Sequence, residues 1–150
     1  MNNDLSSSKA TTEHQAKVAY VYVRQSSLSQ VARHGESTDL QYRLVERATY
    51  LGWPKERVKV IDEDLGKSGA SADQRSGFQY LMAEIGLARV GLVLSWDTSR
   101  LARNNSDWYQ LLELCSHFGT LIADGQSLYD PRLYHDRLLL GLSGIMSEAE

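Results

Sequence analysis

Ser26 and Ser27, Arg24, and the run Ser99-Arg100-Leu101-Ala102-Arg103 are the residues of this chain best suited to covalent chemistry. A serine hydroxyl supplies a nucleophile. Guanidinium groups meet the nonbridging oxygens of a phosphoryl group through paired, charge-assisted hydrogen bonds. Both stretches stand where an apolar run ends, the first after Val18 to Val23 and the second after Val90 to Trp96. In a parallel α/β sheet the carboxyl ends of the strands share one edge, so this spacing brings the hydroxyl and the arginines to a common border. Arg75 joins them from a third connection. The substrate that suits such a set is a phosphodiester. A histidine-dependent triad is disfavoured, because Tyr22 to Ser27 holds neither His nor acid and the four histidines are scattered.

The border collects further polar residues. Arg24, Arg33, Lys67, Arg75, Arg100 and Arg103 all fall in connections assigned to it, and Arg33, Lys67 and Ser68 are expected to contact DNA. Gly66-Lys67-Ser68 imitates the end of a nucleotide-binding loop, but the earlier glycine of that motif is replaced by Ile61 and no helix follows directly. Asp62, Asp64 and Asp97 open an alternative, a Mg²⁺-dependent phosphotransfer or nuclease domain. Neutralisation of the arginines is the preferred role for these acids, since they alternate with cations and lack an adjacent glycine turn. No metal and no cofactor are expected. A third reading is a noncatalytic α/β interaction module that binds a partner through its C-terminal helix.

The elements needed to hold this border are legible. Strands are predicted at 18–24, 57–62, 90–96 and 120–124, rich in Val, Ile, Leu or Tyr and without clean alternation, so both sheet faces should be covered. Leu40, Leu44, Ala48 and Leu51 mark one helix face. Phe78, Leu81, Met82 and Ile85 mark a second, and Trp108, Leu111, Leu112 and Cys115 a third. Thr38 and Gln41 suggest a capping box for the first helix, and Gly119 a stop for the third. Asp130-Pro131 suggests the start of a last helix running through 150, with Leu138, Leu139, Leu140, Leu142, Ile145 and Met146 covering more than one narrow stripe. The expected architecture is α/β: a layered, mainly parallel sheet of four or five strands flanked by helices, with a long C-terminal helix.

With 150 residues, 42% hydrophobic and 23% charged, the chain has the composition of one globular domain. A formal net charge of -3 argues against a free-standing nucleic-acid binder and requires any DNA affinity to arise from local clustering or from further sequence. The single cysteine, Cys115, is expected in the core. Residues 1–16 read as a disordered tail without a signal peptide, and no later run reaches the length of a membrane span. A cytoplasmic location is expected.

Taken in order, Tyr22-Val23-Arg24-Gln25-Ser26, Ser37 to Gln41, Gly69 to Arg75 and Ser99 to Asn104 resemble the catalytic domain of serine recombinases, the resolvase/invertase family. Arg137 to Leu142 and Met146 to Glu150 resemble its long dimerisation helix, particularly that of large members. The resemblance implies a catalytic domain over 17–130 and the start of a dimerisation helix over 131–150, with the chain ending before the DNA-binding segments. It implies that Ser26 attacks the scissile phosphate and forms a phosphoserine link to the DNA 5′ end. Arg24, Arg75, Arg100 and Arg103 match the phosphate-activating arginines, and Gln41 matches a polar residue that positions the site. Strand rejoining would then need neither ATP nor metal. Where the family commonly has Asp before the Arg-Leu-x-Arg run, this chain has Ser99, and Asp97 could supply that carboxylate. A homodimer through the C-terminal helix and a tetramer in the active assembly are implied.

Overall fold

A computed structural model describes residues 9–24, 34–63, 76–96, 98, 101–102 and 104–149, with the backbone alone for Arg24, 34–38, 62–63, Ser76 and 144–149. The strands are β1 (Val18–Arg24), β2 (Val58–Glu63), β3 (Val90–Leu94), β4 (Leu121–Ala123) and β5 (Leu128–Tyr129). The helices are α1 (Thr12–Gln15), α2 (His34–Tyr50), α3 (Ser76–Gly86), α4 (Asn105–Phe118) and α5 (Tyr134–Ala149), with a 3₁₀ turn at Lys55–Arg57. One five-stranded sheet has the order β2-β1-β3-β4-β5. Its first four strands are parallel, and β5 closes the edge antiparallel to β4.

Alternation along the strands divides the core between the two faces. Tyr20, Tyr22, Val93 and Ile122 join α3, α4 and α5 through Phe78, Leu81, Ile85, Trp108, Leu111, Cys115 and Leu140. Ala19, Val21, Leu92, Leu94, Leu121 and Ala123 face α2 through Leu44, Ala48 and Leu51, with Trp53 sealing that side. The expected helical stripes are therefore the buried ones, Leu40 being only half-buried and Met82 partly buried. Burial drives the Cys115 thiol well above its ordinary range, which leaves it an inert core residue. No helix among the described residues is long and apolar enough to cross a membrane.

Four boundaries depart from expectation. Helix α2 starts at His34, so Thr38 lies inside it and cannot be its N-cap. Strand β3 ends at Leu94, although Ser95 N–H still donates to Ala123 O (3.1 Å). Asp130 does not cap α5, which begins at Tyr134. Instead its side chain accepts from Arg132 N (3.0 Å) and its carbonyl from Leu133 N (2.9 Å), making a turn before the helix. Gly119 does stop α4, in the left-handed region at φ 72°.

The fourth departure concerns the N-terminus. The disordered tail expected over 1–16 does not extend to residues 9–16, which pack onto the domain. Thr11 caps α1 with His14 returning the bond in a capping box, and His14 is buried. Gln15 Nε2 donates to Leu51 O (3.0 Å), while Lys9 Nζ donates to Leu128 O (2.9 Å) and pairs with Asp136 (2.9 Å) in the first turn of α5. Gly91 makes room for this segment, because a Cβ there would collide with the His14 carbonyl.

Candidate active site

The order of the sheet determines where a substrate crevice opens. From β1 the chain crosses by α2 on one face to β2; from β2 it crosses back by α3 on the other face to β3. Right-handed crossovers in opposite directions require helices on opposite faces. Between β1 and β3 the direction reverses, and the connections leaving their carboxyl ends diverge towards α2 and α4. Open α/β sheets bind ligands at such a point. Ser26 follows β1 by two residues, and Arg100 and Arg103 lie between β3 and α4.

That edge is stepped. Val21 pairs with Leu94, the last residue of β3, whereas β1 and β2 continue together to the Arg24–Glu63 pair. Three further residues at about 3.3 Å each carry β1 roughly 10 Å beyond β3. The segment after β3 therefore begins level with the middle of β1.

Described residues fix that segment at several points. Thr98 is buried, and Leu101 N–H donates to its carbonyl (3.1 Å). Leu101 is fully buried in the cluster that holds Trp108 and Leu111, and Ala102 beside it is buried too. Asn104 then caps α4, its Oδ1 accepting from Asp107 N (2.8 Å). Arg100 and Arg103 immediately flank the buried Leu101-Ala102 pair in sequence, so the positions around both arginines are anchored by apolar burial and a helix cap.

The structure reports on the expected site residues to different extents. Arg24 is the final residue of β1; its side chain lies outside the described residues. Ser26, Ser27, Arg33, Lys67, Ser68, Arg75, Asp97, Arg100 and Arg103 also lie outside them, as do Asp64 and the side chain of Asp62. Arg75 directly precedes α3 in the chain. Gln41 is half-buried on the stripe that continues through Leu44 and Ala48, about 10 Å along α2 from its start at 1.5 Å per residue. It therefore sits on the sheet-facing side of the helix half nearest the carboxyl edge.

Two residues at this edge escaped the sequence reading. Trp96 was counted within a strand but lies beyond β3 and is 50% exposed. Asn104 carried a usable signal, an Asn directly before a periodic apolar run. Among the described residues, the titratable groups with perturbed pKa values lie elsewhere. Tyr20 donates to Glu84 (3.1 Å) within a network that includes Tyr80 and Arg89, and burial together with these bonds raises its pKa far above the ordinary phenol value. It remains a protonated donor.

A mainly parallel α/β domain whose strand order reverses between β1 and β3 is thus the class that the fold defines. Residues 19–150 match the family described as Resolvase, N terminal domain, and the chain belongs to that family. Its fold is similar to the crystal structure of a resolvase family site-specific recombinase from Streptococcus pneumoniae, with a TM-score of 0.64 and 24% identity over 87% of this chain and 85% of that one. It is also similar to the N-terminal catalytic domain of TP901-1 integrase, with a TM-score of 0.55 and 20% identity over 87% of this chain and 93% of that one. At these identities the likeness is one of fold. The uncharacterized protein y4bA/y4pH of Sinorhizobium fredii is 54% identical over 142 residues, 95% of this chain, and the chain spans 20% of that relative's length.

Proposed function

We propose that this chain is the catalytic domain of a site-specific DNA recombinase that cuts and rejoins strands through Ser26. The observation that carries the reading is the sheet order of a resolvase-family chain: the segments bearing Ser26, Arg100 and Arg103 leave the two strands that flank the topological switch. Ser26 Oγ attacks the scissile phosphorus, the new Oγ–P bond replaces the P–O3′ bond, and the serine proton is lost as the departing 3′ oxygen gains one. Reversal by a 3′ hydroxyl of another strand reseals the backbone, because the phosphoserine ester retains the energy of the original diester.

Arg24, Arg75, Arg100 and Arg103 stabilise charge on the nonbridging oxygens, which puts the electrostatic work on fixed guanidinium forks. Gln41 positions the site, Asp97 supplies the carboxylate beside the arginines, and Arg33, Lys67 and Ser68 contact the DNA backbone. Exposed Leu138, Leu139 and Leu142 on α5 support a homodimer through this helix, with a tetramer as the strand-exchanging assembly. The single, buried Cys115 supports a cytoplasmic location for this protein.

The test is detection, on a denaturing gel, of protein joined covalently to DNA in the presence of a chelator. The adduct is expected with the native sequence and absent from Ser26→Ala, which keeps its DNA binding. Persistence of the adduct in Ser26→Ala moves the nucleophile elsewhere. Cleavage that stops with chelator and leaves no adduct replaces this chemistry with metal-dependent hydrolysis.

A further inference from the structure

We infer that residues 9–16 form a releasable strap across the start of α5, and that protonation of His14 opens it. The strap is a property of the fold and does not depend on the recombinase reading. A one-turn helix has no stability of its own, because nucleation fixes several residues for few hydrogen bonds. Helix α1 is therefore held from outside. Thr11, Thr12, Glu13 and Ala16 are exposed, and Ala10 packs at the margin of the cluster beneath α2. The remaining attachments are polar and scattered. Lys9 Nζ donates to Leu128 O in β5 and to Asp136 in α5, Gln15 Nε2 to Leu51 O, and Arg57 Nη1 to Gln15 O (2.6 Å). A segment tied down at such points opens at lower free energy than the core beneath it.

His14 is the pin. Its ring is buried, and Nδ1 accepts from Thr11 N (3.1 Å) within the capping box. With Nδ1 accepting, the proton of the neutral ring sits on Nε2, the atom left to donate to the Gly119 backbone at the end of α4. One tautomer thus satisfies both nitrogens. A second proton turns Nδ1 into a donor. Thr11 Oγ1 (2.9 Å) is close enough to accept it, but the Thr11 N–H then loses its acceptor and faces another N–H, and a charge stands in a buried site. Burial dominates and holds the pKa below 6.5; Asp130 and Glu13 favour the cation, and Arg132 opposes it. From β3 the ring's residue faces the uncharged Gly91.

Asp130 links the pin to α5. Its carboxylate acts on His14 and pairs with Arg132 (3.3 Å), while its N–H donates to Asp136 Oδ2 (2.9 Å), the same oxygen that Lys9 holds. The pin, the Lys9 tie and the start of the helix share these carboxylates. Because α5 also bears the exposed Leu138, Leu139 and Leu142, an open strap loosens the seat of the helix proposed to assemble the protein.

An open strap protonates near 6.5 and a closed one below it, so closure is strongest above 6.5 and weakens as pH falls towards the closed value. Hydrogen exchange of single amides, followed by NMR on the whole chain between about pH 7.5 and 5.5 and corrected for intrinsic rates, reads this directly. Gln15, Asp130 and Arg137 donate to Thr11 O, Asp136 and Leu133 O, and should lose protection together by roughly three- to tenfold, up to a factor of ten for each pH unit in the window. His14→Gln supplies the acceptor a capping box ordinarily uses but does not titrate, so it should keep the protection and abolish the step. Lys9→Met should speed exchange at Asp130 and Arg137 even at the upper pH. A step that persists in His14→Gln overturns the role of His14. Opening of Gln15 while Asp130 and Arg137 stay protected overturns the link to α5. If His14→Gln does not fold, the ring of the native protein decides: a titration midpoint at or above 6.5 removes it as the pin.

Discussion

Leu101 connects the stability of the domain to the placement of its arginines, and Leu101→Ala should reveal both. The side chain is fully buried in the cluster that includes Phe78, Trp108 and Leu111. Truncation removes three carbons, worth ~2.4 kcal/mol at ~0.8 kcal/mol per buried methylene. An uncollapsed void adds ~24 cal/mol per Å³, which carries such substitutions towards ~5 kcal/mol. Trp108 is tied to Leu140 O (2.8 Å) and cannot simply move in, so the expected loss is ~3–4 kcal/mol. For a chain of this size that corresponds to a fall in melting temperature of ~6–16 °C. Leu87→Ala, at an exposed position, is the control and should remain within ~0.5 kcal/mol of the native protein. Below its melting transition, Leu101→Ala should also form covalent DNA adduct on the order of a hundredfold more slowly, the scale of an ångström-level misplacement. Leu101→Met, which preserves volume, should recover most of both properties. If Leu101→Ala melts with the Leu87→Ala control, or if Leu101→Met forms adduct no faster than Leu101→Ala, the anchoring argument is wrong.

Other expectations follow from single contacts. Arg100→Lys should slow adduct formation by about 10² to 10³ with the melting temperature unchanged, because one ammonium cannot reproduce two parallel N–H donors; equal rates in a single-turnover assay would remove Arg100 from the site. Gly91→Ala should cost ~1–3 kcal/mol and open residues 9–16 to limited proteolysis, as the added methyl displaces the His14 carbonyl. Asp136→Ala leaves the buried Asp130 N–H without its acceptor and the Lys9 ammonium with Leu128 O but no carboxylate, a loss of ~1–3 kcal/mol that should appear in chemical denaturation and as faster amide exchange in the first turn of α5. Burial lowers the His14 pKa below 6.5, outweighing Asp130 and Glu13, while Arg132 acts in the same direction as burial. The unfolded chain then takes up the proton first, so this contribution to stability is full above 6.5 and is lost as pH falls from there to the folded value. A His14→Gln variant should show a shallower fall in urea midpoint across that window; identical slopes would exclude His14 as the cause.

The parallel strands were legible because burial on both faces turns them into continuous apolar runs, as in Val18 to Val23 and Val90 to Leu94. Strand β5 was not resolved in that reading, since two residues carry no periodicity. Helix α1 escaped for the same reason, and its capping box uses His14 where the usual sequence signal has Glu or Gln. Thr38 misled because a Thr-x-x-Gln spacing occurs inside α2 as readily as at its start. At the candidate site, the strand ends indicated which connections meet at the edge. The stagger between β1 and β3 depends on register, which a single sequence does not encode, and the half-open surface of Trp96 depends on where β3 stops.

Residue 19 opens the stretch shared with the family, yet the fold has already used several side chains before it. Lys9, His14 and Gln15 lace the amino end of the sheet to α5, Gly91 and the end of α2. Any fragment cut to the family boundary, for domain exchange or fusion, would bare Gly91 and release Asp136. Grafts of this domain should therefore start upstream of Lys9.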